Sequence, residues 1–341
     1  MSGDIAEGWR GSTLTAEVQH RPGFDLASIP PNAKVAANIT TGGSAIRHFT
    51  GYVPPAERRK ADPHVTRSTV SAADMIEARL RRKCMHYHCS YGGWPVDDAF
   101  EAMLNRGGVA SANISVAADV SAAVMGSLYY LPMGSMQGQR NLQFSPDGDL
   151  VQALDQLTAV RGLDWGVNQN GVCFIRHPVS HTAGSYDYTL ADDSANVEDI
   201  IRTFRATWTV TDFANLLIVM VGQGADAAAK VLIDEDSMSD SSASNFVGDV
   251  WSRFVALPDG DHVAEIANRL WEEIAYWHHL VQWTMEDRPE WMPDHEIRLQ
   301  VDDLEITENS IVRITKKSWE AQEGTTGRYS QTLDAKVVEA A

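Results

Sequence analysis

The densest group of potential metal ligands in the sequence is the run Cys84-Met85-His86-Tyr87-His88-Cys89. Thiolates and imidazoles are ligands that zinc prefers in proteins. This spacing matches none of the structural zinc patterns, which hold paired ligands on separate turns or strands. In an extended strand only an alternate pair such as His86 and His88 lies on one face. The run therefore favours a packed or partly exposed strand over a metal site, and no metal or other cofactor is predicted.

The remaining histidines and carboxylates form no recognisable catalytic motif. His295-Glu296 lacks a second histidine at zinc-protease spacing, and the sequence contains no nucleophile elbow or phosphate-binding loop. The neighbouring His278 and His279 would not share a helix face. The acidic groups Asp302-Asp303 and Asp234-Glu235-Asp236 fall near predicted loops. A solvated acidic surface is favoured, and the sequence predicts a protein that is not an enzyme and has no catalytic residues.

Four tryptophans in the C-terminal third of the chain raise the alternative of a carbohydrate-binding platform. They are Trp271, Trp277, Trp283 and Trp291. Tryptophans at helical or strand spacing lie more often in a core or in a subunit interface. Core or interface positions are therefore favoured, and carbohydrate binding stays open as an alternative.

The composition is that of an ordinary globular protein with a strong acidic excess. The chain has 341 residues, of which 44% are hydrophobic, and a formal net charge of -18. This length is enough for two or three domains. A surface that grips nucleic acid needs clustered lysine and arginine, so tight binding of nucleic acid is not expected. The acidity suits a channel that DNA passes without sticking, or it simply keeps the chain soluble.

Cysteine content and hydropathy bear on the compartment. Three cysteines are too few for a disulfide framework and fit a reducing environment. The first residues have neither the basic start nor the apolar core of a secretory signal. The longest aliphatic run, 216–221, is too short to span a bilayer. No membrane insertion by this chain is predicted.

The clearest local pattern is a helix followed by a β-hairpin near the middle of the chain. Apolar residues recur at helical spacing over 150–160, and Asp149 can cap the free N–H groups of that helix. Gly162 ends the helix. The period then changes to two, and Asn170-Gly171 predicts the turn of a hairpin over 163–176.

Segments rich in strand signals lie on both sides of this unit. The first side has predicted strands at 14–18, 34–39, 46–53 and 65–72, followed by helices at 74–83 and 97–104. The second side has strands at 203–210 and 216–221 that are predicted to pair, a polar segment at 237–244 predicted to be mobile, a helix at 261–277, and strands at 281–285, 297–301, 311–314 and 329–337.

Three parts of this order resemble the tail-hub (baseplate-hub) proteins of long-tailed bacteriophages. The first is the series LTAEVQ, IPPNAKVAANI, HFTGYV and STVSAADM with the short helix VDDAFEAMLNRGGV. The second is the central helix with its GLDW strand, NG turn and VCFI strand, and the third is the closing series from the helix at 261–277 to YSQTLDAKVV. Family members tend to carry Pro-Gly-Asp at a turn where this chain has Pro293-Asp294-His295. A residue other than glycine there would resist positive φ.

The resemblance implies an α+β chain in which two β-rich tube-like domains flank an inserted helix/β-hairpin domain. The implied boundaries are an N-terminal arm at 1–11, a first tube-like domain at 12–76, the inserted domain at 77–185 and a second tube-like domain at 186–341. It also implies a homotrimer with two tube-like domains per subunit. Such a ring adapts the six-fold tail tube to the three-fold tail tip and lines the DNA exit channel.

The resemblance also implies partners and a location. The neighbours would be the tail tube or distal tail protein, the tail-tip spike or fibre protein and the tape-measure protein, with DNA only in transit through the lumen. The chain would be assembled in the host cytoplasm and would end in the virion, at the tail tip or baseplate. The alternatives are a carbohydrate-binding tail-tip protein and a cell-wall-degrading one.

Overall fold

The computed structural model describes residues 1–19, 29–30, 32–41, 43–54, 67–83, 89–90, 94–118, 120, 143–144, 149–159, 163–191, 201–209, 213–221, 228–242, 247–257, 263–274, 278–286, 288–300, 309–322 and 328–339. Its strands are β1 (Ser2–Ile5), β2 (Thr13–Gln19), β3 (Lys34–Thr41), β4 (Ser44–Tyr52), β5 (Arg67–Ala73), β6 (Cys89–Ser90), β7 (Ile114–Val116), β8 (Gln143–Phe144), β9 (Asp164–Val167), β10 (Cys173–Arg176), β11 (Tyr188–Ala191), β12 (Ile201–Thr209), β13 (Leu216–Val221), β14 (Ala228–Ile233), β15 (Ser252–Leu257), β16 (His278–Glu286), β17 (Glu296–Gln300), β18 (Ile311–Gln322) and β19 (Arg328–Glu339). Its α-helices are α1 (Met75–Ala78), α2 (Val96–Arg106), α3 (Leu150–Ala159), α4 (Glu235–Ser239) and α5 (Val263–Ile274). The fold is thus mostly β-sheet with few helices.

The largest feature is an eleven-stranded sheet that contains both ends of the described chain. Nine of its strands follow one another in the order β12-β16-β19-β18-β1-β2-β5-β4-β3, and β17 and β11 extend it from β18. Every pairing along the nine-strand path is antiparallel. We call this sheet the main sheet.

Strand β1 joins the two halves of the main sheet. It pairs with β2 on one side and with β18 on the other. A Cβ atom on Gly3 would lie 2.8 Å from the carbonyl oxygen of Thr13 and 2.8 Å from the Trp319 ring. Only glycine leaves room for this approach, because real Cβ contacts are longer than 3 Å. The pairing of β1 with both halves therefore depends on a glycine at position 3.

Residues 1–11, predicted as a polar arm, contain this central strand. Ile5 and Trp9 are both buried. Four residues are too few for a convincing alternation in the sequence, and only tertiary pairing reveals the strand.

The main sheet buries two apolar clusters. The cluster of the first half also includes one residue each from β18 and β19, and it comprises Leu14, Ala37, Ile39, Phe49, Ala72, Trp319 and Tyr329. The cluster of the second half comprises Leu190, Val281, Trp283, Met285, Trp291, Ile297, Leu299, Val312, Ile314, Leu333 and Ala335. Side chains alternate between buried and more exposed positions along β18 and β19. The face of the main sheet opposite these clusters is therefore open, which we call the open face.

The middle of the chain folds as predicted into helices packed on a short sheet. β7, β10 and β9 form a three-stranded sheet, and α2 and α3 contribute to the same apolar core. The Asp149 carboxylate accepts a hydrogen bond of 2.9 Å from the N–H of Val151, as expected for a helix cap. α2 ends at Gly107 and Gly108, the latter at φ +82°.

The predicted hairpin at 163–176 is confirmed, and its loop has three residues. The Asn168 side chain accepts hydrogen bonds from the N–H groups of Asn170 and Val172. Gly171 takes φ +77°, whereas Asn170 is not among the residues with positive φ. This geometry is typical of a turn followed by a left-handed glycine, rather than of the two-residue loop that Asn-Gly often makes.

A separate three-stranded sheet, β14-β13-β15, packs against α5. The strands predicted at 203–210 and 216–221 both exist, but the prediction that they pair is wrong. β12 pairs with β16 in the main sheet, and β13 pairs with β14 and β15. The prediction assumed that strands adjacent in sequence pair with each other. β12 and β13 instead belong to different sheets.

Two other local expectations differ from the structure. The segment 74–83 forms only the short helix α1 and a 3-10 turn, because Arg79 leaves the helical region at φ -129°. Within 237–244, predicted to be mobile, the described residues begin in α4, and Ser237 is fully buried. The domain boundaries at 12–76, 77–185 and 186–341 stay predictions, and the main sheet extends across them.

Candidate interaction site

Asp294 joins three distant parts of the chain. Its Oδ2 atom accepts a hydrogen bond of 2.7 Å from the indole Nε1 of Trp9, which follows β1. The same oxygen lies 2.5 Å from Nη2 of Arg176, the last residue of β10. The N–H of Asp294 donates to the carbonyl of Ile314 in β18 at 2.9 Å. One residue thus ties the start of the chain and the hairpin to the main sheet.

The backbone around this contact is unusual on both sides. Asp294 has φ +74° and Trp9 has φ +59°, and both lie in the left-handed region that favours glycine. The turn at Pro293-Asp294-His295 therefore forms despite the missing glycine. Residues other than glycine in this region cost free energy and are retained where surrounding contacts hold them.

A small apolar cluster underlies the polar contact. Ile5, Trp9 and Met292 are buried together, with Ile46 and Phe174 packed against them. These residues come from the start of the chain, from β4, from the hairpin and from the turn before β17. The contact is therefore a packed junction, which we call the Asp294 junction.

A cleft of about 510 Å³ opens beside the Asp294 junction. Its polar lining includes Asn168, Gln169, Glu290 and His295. Burial lowers the pKa of His295, whose Nδ1 lies 3.2 Å from the backbone N–H of Met292. A neutral imidazole that accepts a backbone hydrogen bond supports the turn. The contacts of His295 among the described residues are those of a turn-supporting side chain.

A second contact fastens the start of the chain to the middle unit. Arg10 donates from Nε to the carbonyl of Trp165 at 2.8 Å, and its Nη1 lies 2.6 Å from Oδ1 of Asp155. The Trp165 indole donates to the same oxygen at 2.8 Å, and the guanidinium stacks 4.8 Å above its ring. Arg10 is thereby held on both the α3 and the β9 side.

A buried polar network links the two halves of the main sheet. Nε2 of His48 in β4 lies 3.0 Å from the hydroxyl of Tyr329 in β19. Burial lowers the pKa of His48 to about 3 and keeps the ring neutral. Lys317 is also buried, and its Nζ donates to the carbonyls of Pro289 and Trp291 at 2.8 and 2.6 Å. Each of these three buried groups thus has a hydrogen-bond partner among the described residues.

The three-stranded sheet β14-β13-β15, which we call the small sheet, has one face that is apolar and exposed. β13 buries Leu217 and Val219 against α5, so its alternate residues and their partners on β14 and β15 face the other way. That outer face carries Val231 at 52% exposure, Ile233 at 50% and Phe254 at 59%. Contiguous exposed apolar residues of this kind are typical of protein-interaction surfaces. We call this surface the outer apolar face.

The residues that the sequence raised as candidates are not brought together. Trp283 and Trp291 are in the core, as favoured, and Trp271 packs partly buried on the small sheet. Asp234 caps α4 by accepting from the N–H of Ser237. His278 and His279 lie in β16. Trp277, Asp302-Asp303 and residues 84–88 lie outside the described residues, so the Cys84 to Cys89 run stays untested as a site.

The functional contacts were almost invisible in the sequence. Trp9, Arg176 and Asp294 are separated by more than a hundred residues, and nothing in their local patterns links them. The departure from glycine at the Pro293 turn was the one local signal. The Asp294 side chain there makes contacts that glycine could not make.

No set of three or more histidine, cysteine, aspartate or glutamate side chains in the described part of the chain is arranged to hold a metal ion. No described helix combines the length and hydropathy needed to cross a membrane. The described Cys173 is buried, and burial raises the pKa of its thiol to about 12.

No family model and no curated protein matches the chain in sequence. Solved structures do match it in fold. A tail protein from Neisseria meningitidis MC58 aligns with a TM-score of 0.63 at 11% identity, over 98% of this chain and 90% of that chain. The 43 kDa tail protein of prophage MuSo2 from Shewanella oneidensis aligns with a TM-score of 0.59 at 13% identity, over 98% and 92%.

A third likeness lies outside viruses. A component of the type VI secretion system of E. coli, described as similar in structure to the T4 bacteriophage tail proteins gp27 and gp5, aligns with a TM-score of 0.56. The identity is 11%, over 98% of this chain and 72% of that chain. At these identities the likeness establishes the fold. This chain has the fold of tail proteins and of their secretion-system counterpart.

Proposed function

We propose that the chain is a structural, non-enzymatic subunit of a virus tail, and specifically the homotrimeric tail or baseplate hub. In this role it adapts the six-fold tail tube to the three-fold tail tip and lines the DNA exit channel. The observation that carries the proposal is a tail-protein fold spanning 98% of the chain. The construction of the main sheet supports the finer assignment.

Along the nine-strand path of the main sheet, four strands lie on each side of β1, and β17 and β11 add to the β18 side. One half is β2-β5-β4-β3 and the other is β18-β19-β16-β12. Within the described residues, the terminal strands β3 and β12 are each paired on one side only. Three copies in a ring would bring β12 of one copy beside β3 of the next. Six four-stranded sets would then surround the axis, which converts three-fold into quasi-six-fold symmetry.

The proposed partners follow from this placement. The ring has one side for the tail tube or distal tail protein and one for the tail-tip spike or fibre protein, with the tape-measure protein and DNA passing through the lumen. The outer apolar face supplies a surface for a neighbouring tail component, because an exposed sheet face of this kind is costly in a free subunit. The proposed location is the virion tail tip, after assembly in the host cytoplasm.

The alternatives have less support. A carbohydrate platform would use exposed tryptophans, but Trp283 and Trp291 are buried. A cell-wall hydrolase would clear peptidoglycan in a zymogram, and the proposed hub would not.

A hub of a type VI secretion system is the second candidate, because the E. coli component shares the fold. Recovery of the chain in DNA-containing particles separates the tail from the secretion system.

The first test is the mass of the full chain in solution, measured by light scattering and followed by particle images. We expect a mass about three times that of the 37.5 kDa chain, or a three-fold ring within a tail. Arg205→Glu on the edge strand β12 should leave the fold intact and weaken the trimer, whereas Arg253→Glu on the small sheet should not. A stable monomer that joins no tail component would overturn the proposal.

A further inference from the structure

The connection between β10 and β11, residues 177–187, is held by a cluster of charged side chains. Nδ1 of His181 lies 2.9 Å from Oε2 of Glu296 in β17, and its Nε2 lies 2.6 Å from Oε2 of Glu339 in β19. The N–H of Gly184 donates to the same oxygen of Glu339 at 2.7 Å. Both ring nitrogens of one histidine are thus engaged by carboxylates from two different strands.

Arg313 completes the cluster from β18. Its Nη2 lies 2.5 Å from Oε1 of Glu296, and its Nη1 donates to the carbonyl of Val179 at 2.6 Å. Within the connection, Asp187 accepts the N–H of Glu296 at 2.8 Å. Arg313 balances the charge of Glu296, and Glu339 is the second carboxylate of the cluster. His181 lies between the two carboxylates.

We propose that His181 is a pH-sensitive latch, which fastens residues 180–186 of the connection to β17 and β19 when the ring is protonated and releases them when the ring is neutral. An imidazolium donates from both nitrogens, so both carboxylates are satisfied. A neutral ring has a single N–H, so one carboxylate must face a lone pair. The latch therefore opens at the carboxylate that loses its donor.

The surrounding carboxylates raise the pKa of His181, so the release occurs at a higher pH than for an unperturbed histidine. Burial by itself lowers the pKa of His181, but the hydrogen bonds to Glu339 and Glu296 outweigh it, so the pKa is raised. For a base whose pKa is raised in the folded state, the stabilisation is complete below the unfolded value of about 6.5. It is lost as the pH rises through the folded pKa.

The release is local because other contacts hold the neighbouring elements. β11 remains paired with β17, and Leu190 lies in the core. On the other side, the ion pair between Arg176 and Asp294 keeps the end of β10 on the main sheet. The latch thus changes the freedom of the connection while the units that it joins stay in place. Nothing in this inference depends on the tail assignment.

Hydrogen exchange of residues 180–186 in the full chain tests the latch. Protection factors, corrected for the intrinsic pH dependence of exchange, should be high at pH 5.5 and fall toward pH 8.5. The fall should be about tenfold for each unit by which the folded pKa is raised. His181→Gln should give low protection at every pH, and His177→Gln, in the same connection, should keep the wild-type profile.

A second variant keeps the test decisive if His181→Gln does not fold. Glu339→Gln retains an acceptor for Gly184 but removes the charge that favours the imidazolium, so its profile should fall at lower pH than that of the wild type. A wild-type profile that does not change with pH, or profiles of His181→Gln and Glu339→Gln that coincide with it, would overturn the proposal.

Discussion

Asp294 shows how the contacts of a side chain can hold a residue other than glycine in the left-handed region. Its left-handed backbone costs about 1 kcal/mol relative to glycine. The contacts of the carboxylate stabilise the fold by more than this cost, because it accepts a hydrogen bond from Trp9 and pairs with Arg176 in a partly buried setting. Glycine would relax the turn but leave the indole and the guanidinium without their acceptor.

Substitution of Asp294 should separate these contributions. Asp294→Asn keeps a side chain that tolerates positive φ and one acceptor oxygen, and we expect it to lower the free energy of unfolding by about 1 kcal/mol. Asp294→Ala loses the acceptor and remains strained, and we expect a loss of about 3 kcal/mol. Urea unfolding measures both values. Glu320→Gln, an exposed carboxylate of β18, serves as the control and should change little.

A result in which Asp294→Ala unfolds at the same urea concentration as the wild type would contradict this account of the junction. Asp294→Gly gives a further check. It should fall between the other two variants, because it removes the strain together with the acceptor.

At the scale of elements, the loop of the hairpin, which the Asn-Gly pair predicts, also contacts the main sheet. Gly171 takes φ +77°, and a Cβ atom there would lie 2.8 Å from Cγ2 of Thr50 in β4. The loop of the middle unit therefore touches the first half of the main sheet. This contact, like the Asp294 junction, limits how the middle unit can sit on the sheet.

Gly171→Ala should destabilise the chain more than Gly184→Ala. Both glycines have positive φ, but Gly184 at φ +73° has no atom within 4 Å of the added Cβ. Both variants therefore incur the strain of about 1 kcal/mol, and only Gly171→Ala adds the clash with Thr50. We expect an additional loss of about 1 kcal/mol in urea unfolding. Equal losses would show that the loop does not press on β4.

Elements with strong local patterns could be predicted, and their partners could not. The apolar stripe of α3, the helix α5 and the Asn-Gly hairpin follow from periodicity and turn chemistry. β1 could not be found, because its four residues, including Gly3, gain their stability only from β2 and β18. The pairing of β12 with β16 instead of β13 is likewise a long-range choice. Sequence patterns report which side of an element is apolar, and they do not report which element covers it.

On the scale of the whole molecule, the open face of the main sheet is polar and carries charges of both signs. The described residues of that face are rich in hydroxyl groups, among them Thr13, Thr15, Ser318, Ser330 and Thr332. Its charges have both signs, and Lys316 of β18 lies directly opposite Asp334 of β19. Such a surface neither attracts nor strongly repels a phosphate backbone.

If this face lines a DNA channel, a few added positive charges should make it adhesive. Asp4, Glu17 and Glu320 are exposed on neighbouring strands of the open face. The triple variant Asp4→Lys, Glu17→Lys and Glu320→Lys should retain double-stranded DNA at about 50 mM salt and release it near 200 mM, because each phosphate contact adds about 0.9 to the log–log salt slope. Filter binding of the full chain over a salt series measures this, and the wild type should show no retention.

The matched control separates the position of the charges from their number. Glu235→Lys, Asp236→Lys and Asp240→Lys change the net charge by the same amount on exposed residues in and beside α4, outside the main sheet. A continuous face can engage several phosphates at once, whereas three lysines around one short helix engage few, so the control should bind more weakly and with a shallower salt slope. Equal retention by the two variants would mean that the overall charge of the chain, and not the composition of the open face, keeps DNA from adhering.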